Sequence, residues 1–293
     1  MPWVQLKLYV APQQAEVIET ALTRLGAAAV TMQDAADQPL FEPPLGTTPL
    51  WEHTEITGLF PAETDSDALI AQLIQQPGID TLPHWKAEIL EDQDWTSAWL
   101  DRFKPMRFGN RLWICPSAYS PPEPDAVNIF LDPGLAFGTG THPTTAMCLE
   151  WLDGHPPQDL DVIDYGCGSG ILALAAGKLG AANIRAVDND PQALLATRDN
   201  SANNALTDRI QAFLPEQVPT APCDLLLANI LAGPLAQLAP TLTALLKPGG
   251  HLVLSGLLAG QAEETIRAYR PGIELTIHAQ KEEWICLHGQ RQA

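Results

Sequence analysis

Positive charge is scarce in this sequence: 16 Lys and Arg stand against 35 Asp and Glu over 293 residues, a formal charge of −19. A surface of that sign repels phosphate backbones, which argues against stable nucleic-acid binding through a broad basic face and favours a basic protein partner. A purely solubilising role for the acidity stays open beside it. Cysteine is also sparse. Cys115, Cys148, Cys167, Cys223 and Cys286 are odd in number, widely spaced and form no C-x-x-C pair. Neither a disulfide framework nor a zinc site has that pattern, so no metal is expected and the thiols read as free and buried. No stretch approaches the ~18–20 apolar residues of a membrane helix. Met1 to Leu8 alternates like a strand and lacks the basic and apolar regions of a signal peptide. The expected setting is the cytoplasm, with no membrane contact and with the protein acting as a monomer.

What is present is the composition of a globular chain, 46% apolar and 17% charged, and a length that suits two domains. Periodicity and punctuation divide it into residues 1–91, a linker at 92–104 and residues 105–293. In the first part, Trp3 to Val10 alternates as a strand. Gln13 to Leu25 then places Val17, Ile18, Ala21, Leu22 and Leu25 on one helical face that stops at Gly26. Ala27 to Met32 is a second strand, and a proline-rich loop from Asp34 to Pro49 leads to a third around Thr54 to Phe60. Ser66 is read as the N-cap of a helix carrying Leu69, Ile70, Leu73 and Ile74, followed by a fourth strand from Trp85 to Leu90. The order β-α-β-β-α-β predicts an α+β ferredoxin-like domain. In the linker, Trp95, Trp99 and Phe103 fall on one helical stripe, as simple packing would require.

Two short strands, Leu112 to Cys115 and Val127 to Leu131, open the last part. From Leu160 strands and helices alternate, which predicts an α/β Rossmann-like fold with a mostly parallel sheet of seven strands. They run over Asp161 to Asp164, Asn183 to Val187, Ile210 to Leu214, Asp224 to Asn229, His251 to Leu254, Glu274 to Ala279 and Glu283 to His288. No helix separates the last two, so they should form an antiparallel hairpin at the sheet edge.

Chemistry concentrates where the first of these strands turns through glycines into a helix, at Asp164-Tyr165-Gly166-Cys167-Gly168-Ser169-Gly170. Glycine is needed where backbone takes positive φ or comes close to a ligand, and the helix start offers free N–H groups. The spacing Gly-x-Gly-x-Gly brings the third glycine one residue earlier than in the dinucleotide fingerprint. Asp164, just before the first glycine, would repel a pyrophosphate but suits an ammonium group or a water network, and the methionine part of S-adenosylmethionine carries such an ammonium. Asp188 ends the next strand, where a carboxylate can accept both ribose hydroxyl protons. Asn229 ends the fourth strand at the same edge. Its carbonyl can accept from a substrate amine while its amide touches the cofactor, or it can simply cap the following helix.

Upstream, the loop Asp132 to Thr145 contains Phe137-Gly138-Thr139-Gly140-Thr141-His142. It is no Walker loop, because no Gly-Lys-Ser/Thr follows. Phe137 among small residues could act as a lid over the cofactor. Thr144 and Thr145 open a helix that runs to Leu152, where their hydroxyls could cap it or hold the methionine carboxylate. His142 reads more readily as a turn or cap residue than as a base.

These segments resemble the bacterial ribosomal protein L11 methyltransferases, the PrmA family. The resemblance extends over nearly the whole chain and includes Met106-Arg107-Phe108-Gly109, Leu112-Trp113-Ile114-Cys115-Pro116 and Lys281-Glu282-Glu283-Trp284. Phe137-Gly138-Thr139-Gly140 is its most specific piece. It implies a class I Rossmann-like fold using S-adenosylmethionine, in which Thr145, Gly166, Asp188 and Asn229 contact the cofactor. By the same resemblance Asn229 orients the substrate nitrogen, as the catalytic residue, and the N-terminal domain grips the ribosomal protein. Gly168, Asp164, Phe137 and Gly138 complete the expected cofactor-binding set. Many amine methyltransferases have Asn-Pro-Pro-Tyr/Phe at the fourth strand; Asn229-Ile230-Leu231-Ala232 departs from it, against the glutamine- and adenine-modifying branches.

The implied function is methyl transfer to lysine or N-terminal amines of that ribosomal protein. The competing readings are an amine methyltransferase for another basic protein or a small molecule, and a protein that binds S-adenosylmethionine without turnover. In-line transfer to nitrogen needs a neutral amine held along the S–CH₃ axis. A lysine amine of pKa ~10.4 is neutral about once in 10³ to 10⁴ molecules at pH 7, whereas an α-amine near ~8 loses its proton far more easily. Desolvation by Phe137 and the positive cofactor lower the amine's pKa, and carboxylates such as Glu282 and Glu283 raise it. Water then suffices as proton acceptor, with no indispensable side-chain base. Glutamine at His142 (H142Q) should therefore retain turnover in a pH–rate profile; complete loss at every pH with cofactor binding intact would refute this.

Overall fold

Alternation drives the first element: β1 (Trp3–Val10) buries Val4, Leu6, Leu8 and Val10 and leaves the intervening residues partly exposed. The computed structural model describes residues 2–36, 38, 49–79, 81, 84–91, 103–132 and 140–292. Chain contacts divide it into two units, Met1–Ala98 and Trp99–Ala293. In the first, α1 (Pro12–Arg24) starts on a proline, buries Ala15, Ile18, Ala21 and Leu22, and ends where Gly26 takes φ +94°. The Ala27 N–H closes that end on Leu22 O at 3.1 Å, so β2 (Ala29–Asp34) starts two residues later than the sequence pattern suggests.

β3 (Thr54–Pro61), α2 (Ser66–Ile74) and β4 (His84–Leu90) complete a four-stranded antiparallel sheet of order β2-β3-β1-β4. The N-cap of α2 is Asp65, not Ser66. Its carboxylate accepts from the N–H groups of Asp67 at 3.0 Å and Ala68 at 3.2 Å, satisfying two helix-start donors at once. The apolar stripe read in the linker falls outside the described residues, except Phe103, which is buried with the core of the second unit.

The second unit opens on a three-stranded sheet of β5 (Met106–Phe108), β6 (Leu112–Cys115) and β7 (Val127–Phe130). Three residues are too few for periodicity to reveal β5. It pairs with β6 through a turn at Gly109, at φ +62°, and a Cβ there would collide with Asp153. Asp153 belongs to α3 (Pro143–Gly154) and accepts from Asn110 N at 2.7 Å and Arg111 Nε at 3.1 Å.

The seven-stranded sheet follows, in the order β10-β9-β8-β11-β12-β14-β13. Its first strands are β8 (Asp161–Tyr165), β9 (Asn183–Val187), β10 (Ile210–Phe213) and β11 (Cys223–Asn229). The remainder are β12 (Leu246–Leu258), β13 (Thr276–Lys281) and β14 (Trp284–Gln290). The last two form a hairpin in which β14 lies antiparallel against β12 and β13 takes the edge. One apolar layer packs the sheet under α3, α4 (Ile171–Lys178) and α5 (Pro191–Asn203). A second packs it under α6 (Ala232–Gln237), α7 (Ala239–Ala244) and α8 (Ala262–Tyr269).

Four histidines gather on the first of these layers. His251 and His288 stack at 5.2 Å with His251 Nδ1 2.9 Å from His288 Nε2, while His155 stacks on Trp151 at 4.5 Å. Burial, then the neighbouring imidazoles, hold His288 down at about 4, and the same kinds of cause lower His251 and His278. A histidine with a folded value below its unfolded ~6.5 binds its proton more readily when unfolded, so stability falls as pH drops from about 6.5 towards 4. Thermal melts across that window should show a steeper loss in the parent than in His288→Gln (H288Q). Parallel curves would remove the cluster as a cause.

Candidate functional site

Three glycines of the β8–α4 turn occupy the left-handed region, Gly166 at φ +80°, Gly168 at +54° and Gly170 at +80°. Gly166 carries a second constraint, since a Cβ would penetrate the side chain of Ile230 just beyond β11. The turn is tied down by its neighbours. Gly166 N and Cys167 N donate to Val187 O at 2.7 and 3.0 Å, and Gly168 N donates to Asp188 Oδ2 at 2.9 Å. From α5, the Thr197 hydroxyl donates to Gly168 O at 3.1 Å and Asn200 Nδ2 to Ser169 O at 2.9 Å. These two props went unread in the sequence; the available signal was a pair of polar side chains one helical turn apart.

Asp188 therefore meets the glycine turn directly. Its Oδ1 accepts from Asp190 N at 3.0 Å, and each oxygen keeps a lone pair for a further donor. Across the sheet edge, Asn229 Nδ2 donates to Thr145 Oγ1 at 3.1 Å, joining residues 84 positions apart. Thr145 is buried, and the bond leaves the Asn229 carbonyl available as an acceptor. The cap reading of Asn229 does not hold: α6 begins after Leu231, with no side-chain cap bond.

The cap of α3 is His142. Its Nδ1 accepts the Thr144 N–H at 3.4 Å and lies 2.7 Å from Thr144 Oγ1, and its ring meets Trp284 edge-on at 4.8 Å. Thr144 and Thr145 lie inside the helix, so neither is its cap. Lys281, beside Trp284 in the hairpin turn, pairs with Glu150 of α3 at 2.5 Å. Phe137 and Gly138 lie outside the described residues.

Asp164 sits lower than its position in the motif suggests. It is 1% exposed and its Oδ2 accepts from Ala173 N at 2.9 Å, clamping β8 to α4 beneath the turn. Oδ1 is buried with no hydrogen-bond partner. Burial lifts the carboxyl to about 7, with the Asp188 charge adding to the rise and the Ala173 N–H opposing it. An open-face contact with an ammonium is not what this position offers, since Asp164 is buried beneath the turn. The backbone donors of the turn, the Asp188 carboxylate and the Thr145–Asn229 pair suit a ligand with a ribose and a polar amino-acid end. The space kept clear by Gly166 fits the close approach such a ligand needs.

A family model described as Ribosomal protein L11 methyltransferase (PrmA) matches residues 2–292. A ribosomal protein L11 methyltransferase of Pseudomonas aeruginosa (strain LESB58) is 55% identical over 294 residues, covering 100% of both chains. One of Ectopseudomonas mendocina (strain ymp) is 55% identical over 293 residues, also covering 100% of both. Among solved structures, a ribosomal protein L11 methylase from Lactobacillus delbrueckii subsp. bulgaricus aligns with a TM-score of 0.60 at 32% identity, covering 65% of this chain and 100% of that one.

Alanine at Gly166 (G166A) should cost about 1–2 kcal/mol for the left-handed backbone alone, with the Ile230 collision added. Chemical denaturation should show that loss and partial recovery in the double variant with Ile230→Ala. Undiminished stability of G166A would contradict the tight turn.

Proposed function

The chain belongs to the ribosomal protein L11 methyltransferase family, and we propose that it transfers methyl groups from S-adenosylmethionine to lysine amines, the N-terminal α-amine or both in ribosomal protein L11. The observation that carries the reading is the Asn229–Thr145 hydrogen bond, which places an oriented amide beside the glycine turn at the carboxyl edge of the sheet. The bound cofactor supplies an electrophilic methyl on a sulfonium. Gly166 and Gly168 present backbone to it, Asp188 accepts from the ribose hydroxyls, and Thr145 lies towards the methionine end. Asp164 acts from beneath the turn.

Asn229 Oδ1 accepts an N–H of the incoming amine and aims its lone pair at the methyl. Positioning of this kind supplies much of the rate in a bimolecular transfer. His142 Nδ1 is engaged with Thr144, in keeping with a helix cap rather than a base, and the amine's proton leaves to water. The N-terminal unit grips the ribosomal protein, whose basic character suits a chain of charge −19. The protein works as a cytoplasmic monomer without a nucleic-acid partner. Among the described residues no helix is long and apolar enough to cross a membrane.

Incubation with methyl-labelled cofactor and a mixture of ribosomal proteins should label one large-subunit band, and peptide mapping then identifies the nitrogens. Alanine at Asn229 (N229A) should lower kcat by about 10²-fold, the scale of lost positioning. Label on other proteins or small molecules, or cofactor binding without turnover, would overturn the assignment.

A further inference from the structure

Asp164 is a carboxyl group in an apolar layer. Its neighbours in register are Leu227 on β11 and Ala186 on β9, both fully buried and part of the same core cluster. Above it α4 supplies one donor, the Ala173 N–H. From α3 comes the Cys148 thiol, which a hydrogen bond with Cys286 and then burial keep protonated, with Ser255 also beside it. The turn adds the Cys167 thiol, also held protonated by burial, and the end of β9 adds the Asp188 carboxylate. Among the described residues no cation pairs with Asp164 and none donates to its Oδ1. A full negative charge with an empty oxygen, in the core and near a second carboxylate, is a costly state.

We propose that Asp164 carries a proton in the empty site and releases it to solvent when the cationic cofactor binds, so that cofactor binding and ionisation of Asp164 are one coupled event. The inference rests on the reading of this site as an S-adenosylmethionine site. The balance is simple: the carboxylic acid becomes a carboxylate, and one proton goes to the buffer. The neutral acid can stay in the apolar layer because it has no charge to desolvate. A ligand with net positive charge above the turn tips the balance, since it is drawn to the carboxylate and not to the acid. By linkage the affinity then rises with pH while the acid form dominates, and the empty protein loses stability over the same range. That second effect has the sign of a raised carboxyl: stability is full at low pH and declines as pH rises through about 7.

The test compares the parent with Asp164→Asn (D164N), whose amide oxygen can still accept from Ala173. For the empty proteins, denaturation from pH 5.5 to 8 should show the parent losing stability relative to D164N as pH rises. Cofactor titrations in buffers of different ionisation enthalpy should release most of one proton near pH 6 from the parent and none from D164N. Cofactor affinity of the parent should rise towards tenfold per pH unit below 7. If D164N does not fold, infrared difference spectra of the parent give the same reading, with loss of a protonated-carboxyl band on cofactor addition. Equal proton release in both proteins, or no carboxyl band to lose, overturns the proposal. Absence of any cofactor binding, with the stability difference still present, would instead overturn the reading of the site.

Discussion

The missing side chain of Gly166 is the constraint on which the site depends. Ile230, just past the end of β11, occupies the space a Cβ would need. That contact sets how closely the β8 turn approaches the Asn229 strand end. Donors to Val187 and Asp188 hold the turn from one side, and Thr197 and Asn200 hold it from the other. A turn in a conformation open only to glycine would otherwise relax, so the scaffold spends five hydrogen bonds of this kind on keeping it in place.

The start of α3 is the other half of the site. His142 caps the helix while its ring rests against Trp284, and the Lys281–Glu150 pair ties the same hairpin turn to the helix body. Thr145 is thereby presented to Asn229 at a fixed height. The outermost hairpin of the sheet thus contributes to a site built mainly at the sheet's centre.

Charge is distributed with equal care over two aspartates that look alike in sequence. Asp188 has both oxygens hydrogen-bonded and lies partly open, so it suits acceptance of hydroxyl protons. Asp164 is buried with one oxygen unmatched, so its protonation state responds to what binds above it. His251, His278 and His288 on the same layer are the reverse case, bases whose protonation is discouraged by burial and by neighbouring imidazoles.

Much of this was legible in the sequence, because short-range periodicity and turn chemistry are local properties. Alternation marked β1, the glycine spacing marked the β8–α4 turn, and Asp188 and Asn229 were recognisable as strand-end residues at one edge. The resemblance of the family segments pointed to the same residues. Tertiary structure alone decided the rest. Asp65 displaced Ser66 as a cap because its carboxylate reaches two donors, β5 was too short to announce itself, and between His142 and the threonines, each read from sequence as a possible cap of α3, the fold chose His142. The Thr145–Asn229 bond, the two props from α5 and the burial of Asp164 depend on distances between segments remote in the chain. Local pattern tells which backbone a residue adopts; only packing determines which partner stands opposite its side chain and how much water is left there.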